Sequence, residues 1–246
     1  MPFKQAGKVV LAAIMLFGSF SEVCTAEDTD PKDLIGQMSD AIAGLDKFRV
    51  DGDAYADWRL PAGLIVENAS EITVRVRRPG AIRLTRRSTE DTLEIYFSEK
   101  DFTVFTESTG FYAQTEVEPG IDSALHYAID EFGIDAPFLD FLVSDVAANL
   151  LADAQQVQYL GTDLIRGQIY NHVVIRQSEI DVQLWIANEG QPLPGKLSIS
   201  SKWEGGAPRF VLFMNWDLAP DIPDGKLVFT PPEGATEIQI LSDPVE

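Results

Sequence analysis

The sequence predicts an α+β protein dominated by antiparallel β-structure: a curved sheet that holds helices in its concavity. Three observations carry that prediction. Apolar residues change from helical spacing to strict alternation at Phe48. A helical block from Ile121 to Leu151 then interrupts the strands. One late strand, Phe210 to Trp216, is apolar on both faces, as a strand covered on both sides must be.

Residues 1–26 read as an address rather than as fold. Lys4 and Lys8 give a positive start, Val9 to Phe17 is an unbroken apolar run, and Cys24-Thr25-Ala26 offers small residues for cleavage after Ala26. The run is shorter than the ~20 residues that span a bilayer, and no later segment approaches that length without charge. The expectation is a cleaved signal peptide (1–26), a single domain (27–246), no integral membrane segment and a periplasmic location. A lipidated Cys24 is the competing reading. Ser21-Glu22-Val23 opposes it, because a charge stands where a lipobox has a small residue.

Cys24 is the single cysteine and leaves with the signal. The remainder has no disulfide and no thiolate, so stability must come from a core. The chain of 246 residues carries a net charge of −20. Such a surface repels phosphates and anionic headgroups, which argues against nucleic acid as a partner.

Asp30 is placed to cap a first helix, with Pro31 at its first position and Leu34, Ile35, Met38, Ile42 and Leu45 at helical spacing. From Phe48 the alternation sets in. Ile72, Val74 and Val76 alternate with Thr73, Arg75 and Arg77. Ile82 and Leu84 follow, then Leu93, Ile95 and Phe97, Phe102 and Val104, and a strand from Phe111 to Val117. Pro79-Gly80 and Thr109-Gly110 mark turns. This is a meander with one apolar face. In the helical block, Ile121, Leu125, Ile129 and Phe132 form one stripe, Pro137 breaks it, and Phe141 to Leu151 supplies a second helix. Strands resume at Val157–Leu160, Gln168–Gln177, Asp181–Ala187, Lys196–Trp203, Arg209–Leu218 and Lys226–Thr230. The helical block and the Pro31–Leu45 helix are the expected covers of the two faces of Phe210–Trp216.

No catalytic set is legible. Nucleophile elbows, Walker loops, zincin motifs and dinucleotide fingerprints are absent. Of the two histidines, His126 falls just past the apolar stripe of its helix. His172 lies in a strand on the face of Tyr170 and Val174, and reads as a hydrogen-bonded structural histidine. Asp51, Asp53 and Asp57 lack the glycine and closing Glu of a calcium loop. No metal and no cofactor is expected. The stretch Arg75, Arg77, Arg78, Arg83, Arg86, Arg87 is the one local exception to the acidity. It reads as a charged solvent face or as a docking patch for an acidic partner or headgroup. Asn68-Ala69-Ser70 matches a glycosylation sequon without consequence in a bacterial periplasm.

Tyr96 to Phe105 with Phe111-Tyr112-Ala113, Tyr159-Leu160-Gly161, Leu184-Trp185-Ile186, Pro192 to Leu197, Asn215 to Pro220 and Phe229 to Pro232 form a series. In this order it resembles an uncharacterised family of periplasmic proteins, a branch of the LolA/LolB-like lipoprotein-carrier superfamily, from about Asp33 to Ile240. The resemblance implies an incomplete curved β-barrel of about eleven antiparallel strands, with helices covering the concave face. In the carriers that face accepts acyl chains, the helical lid moves aside, and in one type a strand arginine holds the lid. The resemblance does not map that arginine onto a residue here.

The resulting expectation is a non-catalytic binder or carrier of a hydrophobic ligand: a lipid, a fatty acid or a lipoprotein. Ile72, Val74, Val76, Ile82, Leu84, Leu93, Ile95 and Phe97 would line the concave face, with Leu125, Ile129, Phe138 and Phe141 as its lid. The alternative is an envelope protein-interaction or stress-sensing module without a small ligand.

Overall fold

The computed structural model describes residues 29–130, 138–202 and 208–239. The signal peptide, Cys24, Phe132, Pro137, Trp203 and Ile240 lie outside them.

Helix α1 (Pro31–Ala43) starts where expected. The Asp30 carboxylate accepts from the Lys32 amide at 2.8 Å, and Pro31 takes the first position, where its missing N–H costs nothing. Its buried residues Ile35, Met38, Ser39 and Ile42 form one stripe.

Six antiparallel strands follow: β1 (Lys47–Arg59), β2 (Ile65–Arg77), β3 (Ala81–Arg87), β4 (Thr92–Ser98), β5 (Asp101–Thr106) and β6 (Phe111–Glu116). Their register aligns the alternating apolar residues into rows. Phe48, Val76, Ile82, Phe97 and Phe102 stand side by side on the concave face, all essentially inaccessible. One step along, Arg49, Arg75, Arg83 and Tyr96 form the matching row on the outer face. Gly52 sits inside β1 because nothing larger fits: a Cβ there would meet Leu212 Cδ1 at 2.7 Å and the Phe213 carbonyl at 2.9 Å.

After the helical block come β7 (Gln156–Ile165), β8 (Gln168–Arg176), β9 (Ile180–Ala187), β10 (Pro194–Ser201) and β11 (Arg209–Asp217). β11 pairs back onto β1, so the two meanders fuse into one open, curved sheet ordered β6-β5-β4-β3-β2-β1-β11-β10-β9-β8-β7. β6 and β7 are neighbours in sequence and stand near opposite ends of the sheet. Their connection must therefore traverse it. It does so as α2 (Ile121–Asp130), a 3₁₀ turn (Leu139–Phe141) and α3 (Val146–Leu151), which join the same core cluster as the concave face. Asp145 caps α3 through the Ala148 amide at 2.9 Å, and this cap divides the single helix expected from Phe141 to Leu151.

Eleven antiparallel strands are present among the described residues, as expected, and a twelfth, β12 (Thr236–Glu237), is a two-residue parallel addition to β6. Two further expectations change. Lys226–Thr230 is not a strand. Asp224–Lys226 forms a 3₁₀ turn that draws the Lys226 and Leu227 amides into bonds with the Pro223 and Asp224 carbonyls at 2.9 and 3.1 Å, and Pro231-Pro232 closes the segment. This C-terminal segment lies on the outer face. It buries Leu227 and Ile222 beside Ala81, and sets the Phe229 ring 5.1–5.7 Å from those of Tyr96, Phe105 and Tyr112. Finally, the two faces of β11 are not covered by the two helical pieces. α1 and α3 share the concave side, where the Ala147 amide donates to Ser39 Oγ at 3.1 Å. The outward Phe213 is covered instead by Arg166, Lys196 and Tyr55. The Arg166 guanidinium and the Lys196 ammonium sit over the ring face as cation–π contacts.

Candidate functional site

The concave face of β2–β4 is packed by the protein's own helices. Ile72, Val74, Val76, Ile82, Leu84, Ile95 and Phe97 all belong to the main core, and Leu93 is half-buried near the open ends of the strands. Of the lid residues, Leu125, Phe138 and Phe141 are buried in the same cluster. Ile129 faces outward and is 42 % exposed. Phe138 stacks on Phe141 at 6.1 Å and leans on Trp216 at 6.5 Å, so this part of the layer is wedged by aromatic contacts.

Open space adjoining the core lies further along the sheet. A cleft of about 170 Å³ separates the 3₁₀ turn and α3 from β9 and β10. Phe141 and Leu150 form one wall, and Ile180, Val182, Leu197 and Ile199 the other. Among the wall residues of β9 and β10, Val182 and Ile199 are register partners, so their side chains stand together on the floor of the cleft. Its rim is polar and already bonded. Asn149 Nδ2 donates to Asp140 at 3.2 Å, and Gln177 Nε2 donates to the Leu150 carbonyl at 2.9 Å. Sequence periodicity marks Val182 and Leu197 only as inward residues. It holds no signal for which inward residues face a helix and which face a gap.

A larger cleft of about 740 Å³ lies at the other end of the strands. It is bounded by the β2–β3 turn with Arg77 and Arg78, the β4–β5 turn with Lys100, and Gly120 before α2. Despite its size it is the weaker candidate for an apolar ligand. It is an open surface groove, and its cations Arg77 and Lys100 are paired to Asp224 and Glu116.

Arg78 turns away from that groove toward the helices. Its Nη2 donates to the Leu142 carbonyl at 3.1 Å, and its Nε is buried with no hydrogen-bond partner among the described residues. Burial pushes the guanidinium below its usual pKa, and Asp122 opposes the shift. Asp122 in turn accepts from the Ser144 amide at 3.0 Å and from the Ser144 hydroxyl. These bonds and the Ala147–Ser39 bond tie the helical layer to its surroundings.

The other arginines of the basic stretch lie mostly on the outer face and are largely satisfied there. Arg83 pairs with Glu94 at 2.6 Å, Arg87 with Glu71 and Arg77 with Asp224. Arg86 is exposed at the concave rim.

His172 also lies on the outer face. Nδ1 is 3.1 Å from Asp163 and Nε2 is 3.1 Å from Gln183, and the ring stacks on Trp185 at 4.2 Å. The Trp185 indole donates to the same carboxylate at 2.7 Å, and Lys196 covers the ring at 3.9 Å. Partial burial lowers the Lys196 pKa, with Asp163 opposing the shift. Both imidazole nitrogens are occupied and no serine or other nucleophile is among their partners, so the cluster braces β7–β10 rather than forming a nucleophile–base pair. Asp51, Asp53 and Asp57 are engaged by Arg49, Arg166 and the Arg209 amide. Among the described residues no three His, Cys, Asp or Glu side chains gather as a metal site, and no helix is long and apolar enough to cross a membrane.

Solved structures with a related arrangement include the Mycobacterium tuberculosis lipoprotein LppX. That match has 14 % identity and a TM-score of 0.46, over 80 % of this chain and 100 % of that one. A chain of the Pseudomonas aeruginosa MucA/MucB complex matches at 13 % identity and a TM-score of 0.46, over 82 % of this chain and 61 % of its own. The LolA superfamily protein NE2245 from Nitrosomonas europaea matches at 14 % identity and a TM-score of 0.33, over 81 % and 97 %. No curated protein sequence matches the chain. Residues 32–241 match the family described as "Predicted periplasmic protein (DUF2092)", and the chain belongs to that family.

Proposed function

We propose that this protein is a non-catalytic periplasmic binder or carrier of a hydrophobic ligand, an acyl chain of a fatty acid, lipid or lipoprotein, exported by residues 1–26. The observation that supports this reading is the cleft between α3 and β9–β10, whose inner wall is apolar and whose rim is polar. It joins the core on one side and opens to solvent past a polar rim on the other. An amphiphile fits that gradient, with its tail inward and its head at Asp140, Asn149 and Gln177.

Magnitudes limit what the cleft holds as it stands. Pockets that enclose drug-sized ligands measure roughly 300–1,000 Å³, so 170 Å³ takes a short tail segment. At about 0.8 kcal/mol per buried CH₂, six methylenes contribute about 5 kcal/mol before ordering costs. A longer chain requires the helical layer to lift from the concave face and free surface now covered by Phe138, Phe141 and Leu125. Under this reading Ile72, Val74, Val76, Ile82, Leu84, Leu93, Ile95 and Phe97 become the lining of the opened state.

The alternative, a protein-interaction module, draws support from the edge hairpin. β7 ends the sheet, and Leu160, Leu164 and Ile169 are 56 %, 74 % and 51 % exposed there. Edge strands with apolar side chains suit strand addition by an extended segment.

Organic extraction of the protein purified from its own periplasm, followed by mass spectrometry, tests the carrier reading together with titration of a dansylated fatty acid. Stoichiometric lipid or a saturable fluorescence rise supports it. A clean extract with no fluorescence change removes it in favour of the interaction module.

A further inference from the structure

We propose that the arginine row on the outer face is a phosphate-binding site, in which Arg75 ligates the phosphate group of a small phosphoester between Arg49 and Arg83. The register places Arg75 directly opposite both, Arg49 on β1 and Arg83 on β3. Side chains so paired have Cβ atoms about 4.5–5.5 Å apart, and like charges there destabilise a sheet. Two of the three guanidinia have an internal counter-ion. Arg49 holds Asp51 at 2.8 and 3.1 Å, and Arg83 holds Glu94 at 2.6 Å.

Those carboxylates are also engaged elsewhere. Asp51 accepts the Thr73 hydroxyl at 3.0 Å, and the second oxygen of Glu94 accepts the Tyr96 hydroxyl at 2.6 Å. Arg75 makes no hydrogen bond or ion pair among the described residues. Partial burial and its two arginine neighbours push its pKa down, with Asp51 and Glu94 opposing the shift. Asp217 stands opposite Arg49 on β11, on the far side of Arg49 from Arg75, so Arg75 alone of the three guanidinia has no ion-pair partner among the described residues and Asp217 is not placed to serve it.

The surroundings favour a small, doubly charged anion. Lys47 stands opposite Arg77 at the next outward position, Arg77 is paired with Asp224, and the Lys226 carbonyl accepts from Arg83 at 3.5 Å, so Lys47 is the one further cation placed beside the row without an ion pair among the described residues. A phosphomonoester carries about −1.5 to −2 charges at neutral pH, and its oxygens match the guanidinium fork in two parallel bonds. The chain as a whole is at −20. That field repels an anionic membrane or a polyanion while leaving a local site open to a single phosphate.

The test follows thermal unfolding of the full chain against inorganic phosphate, glycerol 3-phosphate and monomeric dihexanoyl phosphatidic acid, with chloride matching ionic strength throughout. The expected result is a saturable rise in Tm. Arg75→Gln should weaken it at least about tenfold while folding normally, since that change removes repulsion rather than a bond. Arg86→Gln, on the opposite face, should leave it unchanged. Tighter binding of the phosphatidic acid assigns the phosphate to a lipid headgroup, and equal binding of all three assigns a soluble phosphate. A rise no larger than that from chloride, or one that survives Arg75→Gln, overturns the site.

Discussion

Arg78 Nη2 donates to the main-chain carbonyl of Leu142 at 3.1 Å, bridging the end of β2 to the 3₁₀ turn across 64 residues of chain. This is a charge-assisted tie between the sheet and the helical layer that fills it. Arg78→Met keeps most of the aliphatic stem and removes the donor. The orphaned carbonyl costs about 1–3 kcal/mol, reduced by relief of the buried guanidinium. Amide exchange should accelerate in Ile121–Asp130 and Leu139–Phe141 more than in β1–β4, and uptake of a dansylated fatty acid should quicken. Uniform acceleration over the whole chain would show that Arg78 is an ordinary structural residue.

The cleft makes a separate prediction. Ile199 is a half-buried wall residue facing Phe141 and Leu150 across the gap. Ile199→Trp fills that gap without creating a void in the core. Fatty-acid affinity should fall at least about tenfold, with stability changed by no more than about 1 kcal/mol. Unchanged affinity in a folded variant would place the ligand elsewhere.

Phe229 is a peg in an aromatic socket made by Tyr96, Phe105 and Tyr112. Each such contact contributes about 0.5–1.5 kcal/mol beyond area burial. Phe229→Ala should destabilise the protein by about 2 kcal/mol and release the C-terminal segment from the outer face. Limited proteolysis should then cut between Ala219 and Thr236 well before the sheet unfolds. Resistance equal to that of the parent chain would show that Leu227 and Ile222 suffice to hold the segment.

Alkaline pH should weaken the fold. Burial and the Glu94 bond raise the Tyr96 pKa well above its ordinary value near 10, and Tyr112 and Tyr170 are also raised, chiefly by burial. Above pH 10 the unfolded phenols lose their protons while the folded ones keep them. The unfolded state then binds fewer protons, so stability is constant below about pH 10 and falls as pH rises past it. Denaturant midpoints measured from pH 8 to 11.5 should show that decline, and Tyr96→Phe should flatten it. A flat profile in the parent chain would contradict these shifts.

Gly52→Ala probes the closest approach inside the sheet. The added methyl meets Leu212 and the Phe213 carbonyl, and backbone atoms cannot step aside as a side chain can. A loss of about 1–3 kcal/mol is expected by chemical denaturation. A neutral result would mean that β11 can shift away from β1.

The local grammar of this protein is written in its sequence. The Asp30–Pro31 helix start, the alternation of Ile72 to Phe97 and the helical block after Ile121 all depend on neighbours a few residues apart, and periodicity reports such neighbours directly. Tertiary structure alone decided which inward residues meet a helix and which meet a gap. Val74 and Ile199 follow the same alternation, yet one is fully buried and the other walls a cleft, because the β6–β7 connection crosses the sheet over the first and leaves room beside the second. Likewise the alternation put Arg75 and Arg83 on one face, but only the register with β1 added Arg49 and showed that Arg75 alone of the three has no ion pair among the described residues. Periodicity fixes the direction of a side chain; occupancy and charge balance depend on what distant segments bring to the same place.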